Sequence, residues 1–168
     1  MPDKSIDQII TDAKVAGKIA KWSYGDKVID NDWVVLLETN DLFYNSGFKA
    51  FLMVNKYDST QLWYGIAGTD QAIDTLQFSS IYGLSGSSQV RDMYRFYGDV
   101  KRYLGLHPEY SISHLKISGE SWGGGLGAVL SNATWIRAYA IDSPGMYGYI
   151  DSRFYYDDLA YAGMNRHC

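Results

Sequence analysis

A glycine-rich turn between two apolar runs is the feature of this sequence that most constrains its fold. The run Leu115-Lys116-Ile117-Ser118 has the short, β-compatible character of a buried strand. Gly119-Glu120-Ser121-Trp122-Gly123 follows directly, and the small and apolar residues from there to Leu130 can form a helix. The pattern predicts a strand, a sharp turn and a helix, with Gly-x-Ser-x-Gly at the turn.

This arrangement is called a nucleophile elbow, and each residue type in it has a physical reason. Ser121 must adopt a strained backbone conformation that lifts its hydroxyl above the sheet. Gly119 and Gly123 have no Cβ, which lets the strand and the helix approach closely. The amide of Trp122, at the helix N-terminus, would point at a developing oxyanion. The sequence therefore predicts Ser121 as a nucleophile.

The same residues fit other patterns less well. A Gly/Ser-rich turn without a chemical role is the simplest, because Gly-x-Ser-x-Gly arises by chance in a chain with 17 glycines. A P-loop requires Lys followed by Ser or Thr after its last glycine, whereas Gly124 is followed by glycine and leucine. A dinucleotide-binding loop would use Gly123, Gly125 and Ala128, but it would have to begin directly at the strand end.

The length and charge of the chain limit what it can be. Its 168 residues predict one domain over residues 1–168, long enough for a core. A net charge of −4 with scattered basic residues gives no footprint for nucleic acid or an anionic membrane. No run approaches the ~20 apolar residues of a spanning helix. Asp3 and Asp7 stand where a secretory signal would be basic and apolar.

The cysteine content fits the same expectation. The single cysteine, Cys168, excludes an internal disulfide and fits a reducing compartment. We therefore expect a cytoplasmic protein, and nothing in the sequence requires a metal or another cofactor.

Aromatic residues are unusually frequent, with 15 tyrosines and 5 tryptophans. Tyrosine can bury its ring while its hydroxyl reaches water, so core and near-surface packing would account for most of them. The alternative is a Tyr-rich surface that contacts carbohydrate, lipid, a partner protein or another copy of the chain.

Hydrophobic periodicity predicts the remaining elements. Helices are predicted over 5–21 and 89–106, and a loop over 79–88. Strands are predicted over 33–37, 48–55, 61–67 and 136–141, of which the second and third form a hairpin. From Met146 onward the aromatic, irregular pattern allows no assignment.

The order of these elements predicts the class of fold. Helices and strands alternate after residue 89, which favours parallel strands with helices on the faces of the sheet, whereas the preceding hairpin is antiparallel. We therefore expect an α/β fold with a mixed, mostly parallel sheet. Ligands of such sheets bind beyond the carboxyl ends of the strands. The segments 68–70 and 142–145 and the residue Ser121 all lie there.

This order resembles an α/β-hydrolase of the class 3 lipase type, from the N-terminal helix to about Gly145. In that family a hairpin strand leads to a loop ending Gly-Ser or Gly-Thr, then a long helix, Gly-x-Ser-x-Gly-Gly and a strand ending near Ser-Pro. The counterparts here are Gly68-Thr69, the helix from Gln89, Gly119 to Gly124, and Ser143-Pro144. The family usually has Arg before Gly-Thr and His before the serine, where this chain has Ala67 and Glu120.

The resemblance implies a serine hydrolase that acts on small-molecule or lipid carboxylic esters. Ser121 would be the nucleophile. Thr69, by its amide and hydroxyl, and the amide of Trp122 would form the oxyanion hole. The domain would be minimal or incomplete at its C-terminus, since far fewer residues follow Ser121 than in that family.

A serine nucleophile also needs a base within reach. His114 begins the strand that leads to Ser121, so it lies roughly 20 Å from Ser121 at ~3.3 Å per residue. His107, which follows the preceding helix, lies at the same end of the sheet as His114, opposite Ser121. His167 is the remaining candidate for the base. Its position near the C-terminus also fits a tail residue with no catalytic role.

The acid that orients the base is predicted at Asp142, which ends the strand after the turn's helix. In this respect the chain resembles pancreatic-type lipases, which have an Asp followed closely by Pro there. Asp157 and Asp158 are later alternatives, and Asp142 also fits a plain turn residue.

Two further hypotheses fit the same sequence. The chain could be a catalytically degenerate hydrolase fold that serves as a binding or interaction module. It could also be the N-terminal part of a longer hydrolase, whose histidine lies beyond Cys168 or comes from a second chain. The distance from Ser121 Oγ to the nearest imidazole separates these hypotheses from a complete triad.

Overall fold

A computed structural model describes residues 5–23, 31–40, 43, 44, 46–68 and 88–143. These residues form three α-helices and one five-stranded sheet. The helices are α1 (Ile6–Ser23), α2 (Ser88–Leu106) and α3 (Trp122–Thr134). The strands are β1 (Trp33–Glu38), β2 (Ala50–Asn55), β3 (Asp58–Ile66), β4 (Leu115–Glu120) and β5 (Ala138–Ile141). The helices and strands predicted within these ranges are confirmed, with ends that differ by a few residues.

The sheet is mixed, with the strand order β1-β2-β3-β4-β5. β1 pairs with β2 and β2 with β3 antiparallel, whereas β3 pairs with β4 and β4 with β5 parallel. The α/β class is confirmed, but the described part of the sheet is only partly parallel, not mostly parallel as predicted. The antiparallel hairpin of β2 and β3, joined by a tight turn at Lys56 and Tyr57, agrees with the prediction. The difference comes from β1, which extends the sheet beyond β2 as a second antiparallel pair.

The parallel half of the sheet aligns three strand ends. α2 lies between β3 and β4 in the chain and α3 between β4 and β5, as parallel neighbours require. Ile66 pairs with Gly119, and Glu120 pairs with Ile141, so β3, β4 and β5 end together. We call this side of the sheet the carboxyl edge and the opposite side, where β4 and β5 begin, the amino edge.

The core has two layers, one on each face of the sheet. β2 is buried on both faces and therefore reads as a continuous apolar run. Leu52 and Val54 face α2 and α3, whereas Phe51 and Met53 face α1, as the two-residue period of a strand requires.

Among the described tyrosines only Tyr57 is exposed, so packing accounts for the others. No helix in the described ranges is long and apolar enough to cross a membrane.

A buried polar cluster fixes α1 to the sheet. Lys116 Nζ of β4 lies 3.0 Å from Asp12 Oδ1 of α1, and their side chains are 6% and 0% exposed. Lys116 also donates to Gln61 Oε1 at 3.1 Å, and Tyr139 OH donates to Asp12 Oδ2 at 3.2 Å. The Lys116 ammonium lies 4.7 Å from the centroid of the Trp63 ring, a cation–π contact. One ion pair therefore joins α1 to β3, β4 and β5.

Candidate functional site

The backbone of Ser121 is the most unusual local feature of the described chain. Ser121 lies between β4 and α3 with φ 52° and ψ −126°. Such a conformation costs a residue with a Cβ about 1–3 kcal/mol and persists only where the surroundings impose it. The Ser121 amide donates to the Ile141 carbonyl at 2.9 Å, and its carbonyl accepts from Gly124 and Gly125 at 3.1 and 3.2 Å. These bonds hold the strained turn that the sequence predicts.

The glycines around Ser121 make this turn sterically possible. A Cβ on Gly119 would lie 2.3 Å from the carbonyl oxygen of Gly123. A Cβ on Gly123 would lie 2.6 Å from the Ile66 oxygen and 2.7 Å from the Ala67 oxygen. The predicted close approach of strand and helix is therefore present at both glycines.

Gly124 has the same constraint, which we did not predict. Its Cβ would lie 2.7 Å from Ser143 Cβ and 2.9 Å from the Gly119 oxygen. The third glycine of Gly-x-Ser-x-Gly-Gly is thus needed where α3 crosses the end of β5. We call residues 119–124 the serine turn.

The carboxyl edge brings two of the predicted site residues to adjacent strand ends. Ser121 follows β4 and is half-buried, and Asp142 follows β5 and is exposed. Asp142 has a φ of 45°, so Ser121 and Asp142 both have a positive φ, which is uncommon for non-glycine residues, and they follow the ends of adjacent strands. Aspartate tolerates this region better than most residues, but strained residues also cluster at functional sites.

The segment predicted to complete an oxyanion hole begins beside the serine turn. Gly123 approaches the carbonyl oxygens of Ile66 and Ala67, at the end of β3. Thr69 lies outside the described residues, one position beyond Gly68. Trp122 is the first residue of α3, so its amide belongs to the first turn of that helix, where backbone N–H groups favour negative charge.

The two histidines of the described chain lie away from the carboxyl edge. His114 ends a 3₁₀ turn, Ile112–His114, that leads directly into the first residue of β4. His107 follows α2, and its ring stacks on Tyr103 with 3.9 Å between the ring centroids. Both belong to the amino edge, as expected from the sequence. His167 and the alternative acids Asp157 and Asp158 lie outside the described residues.

A cleft of about 600 Å³ also lies at the amino edge. Its lining includes Asp58, His114, Lys116, Trp135 and Arg137. The Lys116 ammonium is already engaged within the fold by Asp12 and Gln61. Because open α/β sheets bind ligands at the opposite edge, we assign this cleft no ligand.

A buried hydrogen bond at the serine turn escaped prediction from the sequence. The Trp122 indole Nε1 donates to Gln89 Oε1 at 2.6 Å, and the residues are 1% and 2% exposed. A buried indole N–H needs an acceptor, so the tryptophan in Gly-x-Ser-x-Gly was itself a signal that a polar partner lies nearby.

Together the fold and the serine turn define an α/β protein with a strained serine at a strand–helix junction. No protein-family model and no curated protein sequence matches this chain. Within the described ranges, no group of three or more His, Cys, Asp or Glu residues could hold a metal ion. Any assignment of function therefore rests on the geometry of the serine turn and on the order of the elements.

Proposed function

We propose that this protein is a serine hydrolase of the α/β-hydrolase type, resembling class 3 lipases, which cleaves carboxylic esters. The observation that carries the proposal is the backbone of Ser121, with φ 52° at the turn between β4 and α3. A plain Gly/Ser-rich turn has no need to hold a non-glycine residue in this conformation. A nucleophile does, because the conformation presents the hydroxyl at the carboxyl edge of the sheet.

The proposed reaction has two steps. Ser121 Oγ attacks the ester carbonyl carbon while His167 accepts the hydroxyl proton. The tetrahedral intermediate collapses, the carbon–oxygen bond to the alcohol breaks, and His167 returns the proton to the departing alcohol. In the second step, water attacks the acyl carbon while His167 accepts a proton from the water. The bond from that carbon to Ser121 Oγ then breaks and His167 returns the proton to Ser121, which releases the carboxylic acid and regenerates the serine.

The remaining roles follow from position in the chain. Asp142 would orient the imidazole of His167, with Asp158 as the alternative acid. The amides of Thr69 and Trp122, with the Thr69 hydroxyl, would bind the oxyanion of both intermediates. The location of Trp122 in the first turn of α3 supports its role, since amides there stabilise negative charge without reorganisation.

A fluorophosphonate probe tests this proposal directly. It phosphonylates a serine only when the hydroxyl is activated, so intact-protein mass spectrometry should show one adduct, located on Ser121 by peptide mapping. Ser121→Ala is the matched control and should give no adduct. Folded wild-type protein that remains unlabelled at high probe concentration would overturn the hydrolase proposal.

A second candidate function is a binding module built on an inactive hydrolase-like fold. The observation that favours it is the location of both described histidines, His107 and His114, at the amino edge. Under this alternative the serine turn is retained for packing alone. The alternative requires that wild-type protein fail to react with the probe and that Ser121→Ala leave ligand or partner binding unchanged.

A further inference from the structure

Gln89 connects three separate parts of the chain through one buried amide group. Its Oε1 accepts the 2.6 Å hydrogen bond from the Trp122 indole, and its Nε2 donates to the Ser46 carbonyl oxygen at 3.2 Å. Gln89 lies in the first turn of α2, Ser46 precedes β2, and Trp122 begins α3. A single side chain therefore ties the start of α2 and the approach to β2 to the serine turn.

The chemistry of the two partners allows only one orientation of this amide. An indole N–H can only donate, so it requires the Gln89 oxygen. A main-chain carbonyl can only accept, so it requires the Gln89 nitrogen. A glutamate would turn a carboxylate oxygen toward the Ser46 carbonyl, and a methionine would offer the indole only a weak acceptor and the carbonyl no donor. Glutamine matches both partners at once.

The segment around Ser46 is itself fixed, so Gln89 has a rigid support. Ser46 Oγ donates to Asp92 Oδ2 of α2 at 2.5 Å. Gly47 has a φ of 81°, and a Cβ there would lie 3.6 Å from Gln89 Nε2. A buried network with these bonds holds one geometry, because a displaced partner would leave a polar group unsatisfied in the core.

We propose that Gln89 is a positioning residue for the oxyanion-binding end of α3. Trp122 follows Ser121 in the chain, so an indole held by Gln89 restrains the main chain of Trp122, whose amide is the proposed oxyanion donor. The inference rests on the proposed hydrolase function and adds to it a residue of α2 that touches no substrate. Small displacements of oxyanion donors are costly, since a misplacement of about 1 Å can reduce a rate 10²-fold.

The test compares the rate of Ser121 phosphonylation and the kinetics of ester hydrolysis across four variants. Gln89→Met keeps the side-chain length but leaves the indole N–H without its acceptor, and Trp122→Phe removes that N–H. The double variant combines them. Tyr64→Phe is the matched control, because it removes a buried hydrogen bond of 3.0 Å to the Met93 carbonyl, a bond in which Gln89, Trp122, Ser46 and Asp92 take no part. Circular dichroism and melting temperatures verify that each variant is folded.

We expect Gln89→Met to lower kcat and the phosphonylation rate constant about tenfold with KM unchanged. In the Trp122→Phe background, which has no indole N–H to fix, Gln89→Met should change the rate constant little further. Tyr64→Phe should lose stability and keep the wild-type rate constant. Equal rate constants for Gln89→Met and wild type, or equal losses in Gln89→Met and Tyr64→Phe, would overturn this inference alone. If the fluorophosphonate probe left folded wild-type protein unlabelled, both the proposed function and the inference about Gln89 would be overturned.

Discussion

The main-chain amide of Ser121 donates a 2.9 Å hydrogen bond to the carbonyl oxygen of Ile141. This bond continues the parallel pairing of β4 with β5 one position beyond Glu120, so Ser121 and Asp142 follow neighbouring strand ends. The sheet itself thus imposes the strained conformation of Ser121. Because the hydroxyl is not needed for that conformation, mutation can separate the structural role of Ser121 from its proposed chemical role.

Ser121→Gly and Ser121→Ala should differ in stability although both lack the hydroxyl. Glycine adopts a φ of 52° without steric cost, whereas alanine keeps the strain. We expect the free energy of unfolding of the glycine variant to exceed that of the alanine variant by about 1 kcal/mol. Urea unfolding followed by circular dichroism measures the difference. A more stable alanine variant would show that the turn is not strained.

Gly123→Ala should destabilise the protein even though alanine favours helices. The added Cβ would lie 2.6 Å from the Ile66 carbonyl oxygen, and neither backbone segment can move without disturbing β3 or β4. We expect a loss of about 1–3 kcal/mol, as for other overpacked sites. Gly105→Ala in α2 is the matched control, because a Cβ there meets nothing within 4 Å.

The control variant Gly105→Ala should be neutral or more stable by about 0.5 kcal/mol, from its better helix propensity. Thermal unfolding of both variants gives the comparison. If Gly123→Ala were as stable as Gly105→Ala, the close packing of α3 on the end of β3 would be refuted.

The parts of the structure that could be predicted are those determined by neighbours in sequence. The serine turn depends on residues within one short segment, and the hairpin of β2 and β3 on alternation around a tight turn. The balance of parallel and antiparallel pairs depends on which strands meet in space, so the predicted excess of parallel strands was wrong for the described sheet.

Long-range polar contacts could not be predicted for the same reason. Asp12 and Lys116 lie 104 positions apart, and each has the usual character of an exposed residue when read alone. Gln89 and Trp122 are separated by 33 positions. Neither pair has a local pattern, and only the packing of α1 and α2 on opposite faces of the sheet brings these residues to their partners.

The buried ion pair of Asp12 and Lys116 should be costly to break from one side. Asp12→Ala would leave the Lys116 ammonium, only 6% exposed, without its carboxylate. We expect a loss of about 3–5 kcal/mol in the free energy of unfolding, and recovery of most of it in Asp12→Ala/Lys116→Met, where neither charge of the pair remains. A double variant less stable than Asp12→Ala would contradict this explanation.

An exposed ion pair provides the control for this experiment. Arg102 and Asp99 are 3.1 Å apart on α2, with side chains 73% and 36% exposed. Arg102→Ala should cost less than about 1 kcal/mol, since exposed pairs are screened by water and salt. Chemical denaturation of the three variants at equal ionic strength gives the ranking.

Alkaline pH should destabilise the fold through buried tyrosines. Burial raises the pKa of the Tyr64 phenol well above its ordinary value, whereas in the unfolded chain it ionises near pH 10. The unfolded state therefore releases a proton that the folded state retains. The stability from Tyr64 is complete below about pH 10 and falls by about 1.4 kcal/mol per pH unit above it.

Tyr64→Phe removes the contribution of Tyr64 to this dependence and should reverse the order of stabilities. Near pH 8 the variant should be less stable than wild type by about 1 kcal/mol, because it lacks the hydrogen bond to the Met93 carbonyl. As the pH rises above 10 the difference should shrink and change sign. Urea unfolding from pH 8 to about pH 11 measures it, with Tyr57→Phe, an exposed ring, as the control. Parallel curves for wild type and Tyr64→Phe would exclude Tyr64 as a source of alkaline instability.

The identity of the base is the part of the proposed mechanism that rests most on the sequence. A base must come within ~3 Å of Ser121 Oγ, directly or through one water. Among the described residues the imidazoles of His107 and His114 belong to the amino edge, at the far end of β4 from Ser121. Strand geometry places His114 roughly 20 Å away, which no side-chain rotation can span. His167 is therefore the histidine to test.

If His167 is the proposed base, His167→Ala and deletion of residues 166–168 should both abolish ester hydrolysis, with kcat reduced at least 10³-fold, as for loss of a triad residue in serine hydrolases. Neither change should alter the melting temperature by more than a few degrees, because these changes remove little apolar side-chain area. His114→Ala is the matched control and should keep full activity, since it removes an imidazole from the amino edge. Comparing phosphonylation rates with hydrolysis rates shows whether the loss lies in activation of Ser121 or in release of the acyl group. Full activity in the truncated protein would assign the base to another residue, and parallel losses in His114→Ala and His167→Ala would attribute the effect to folding.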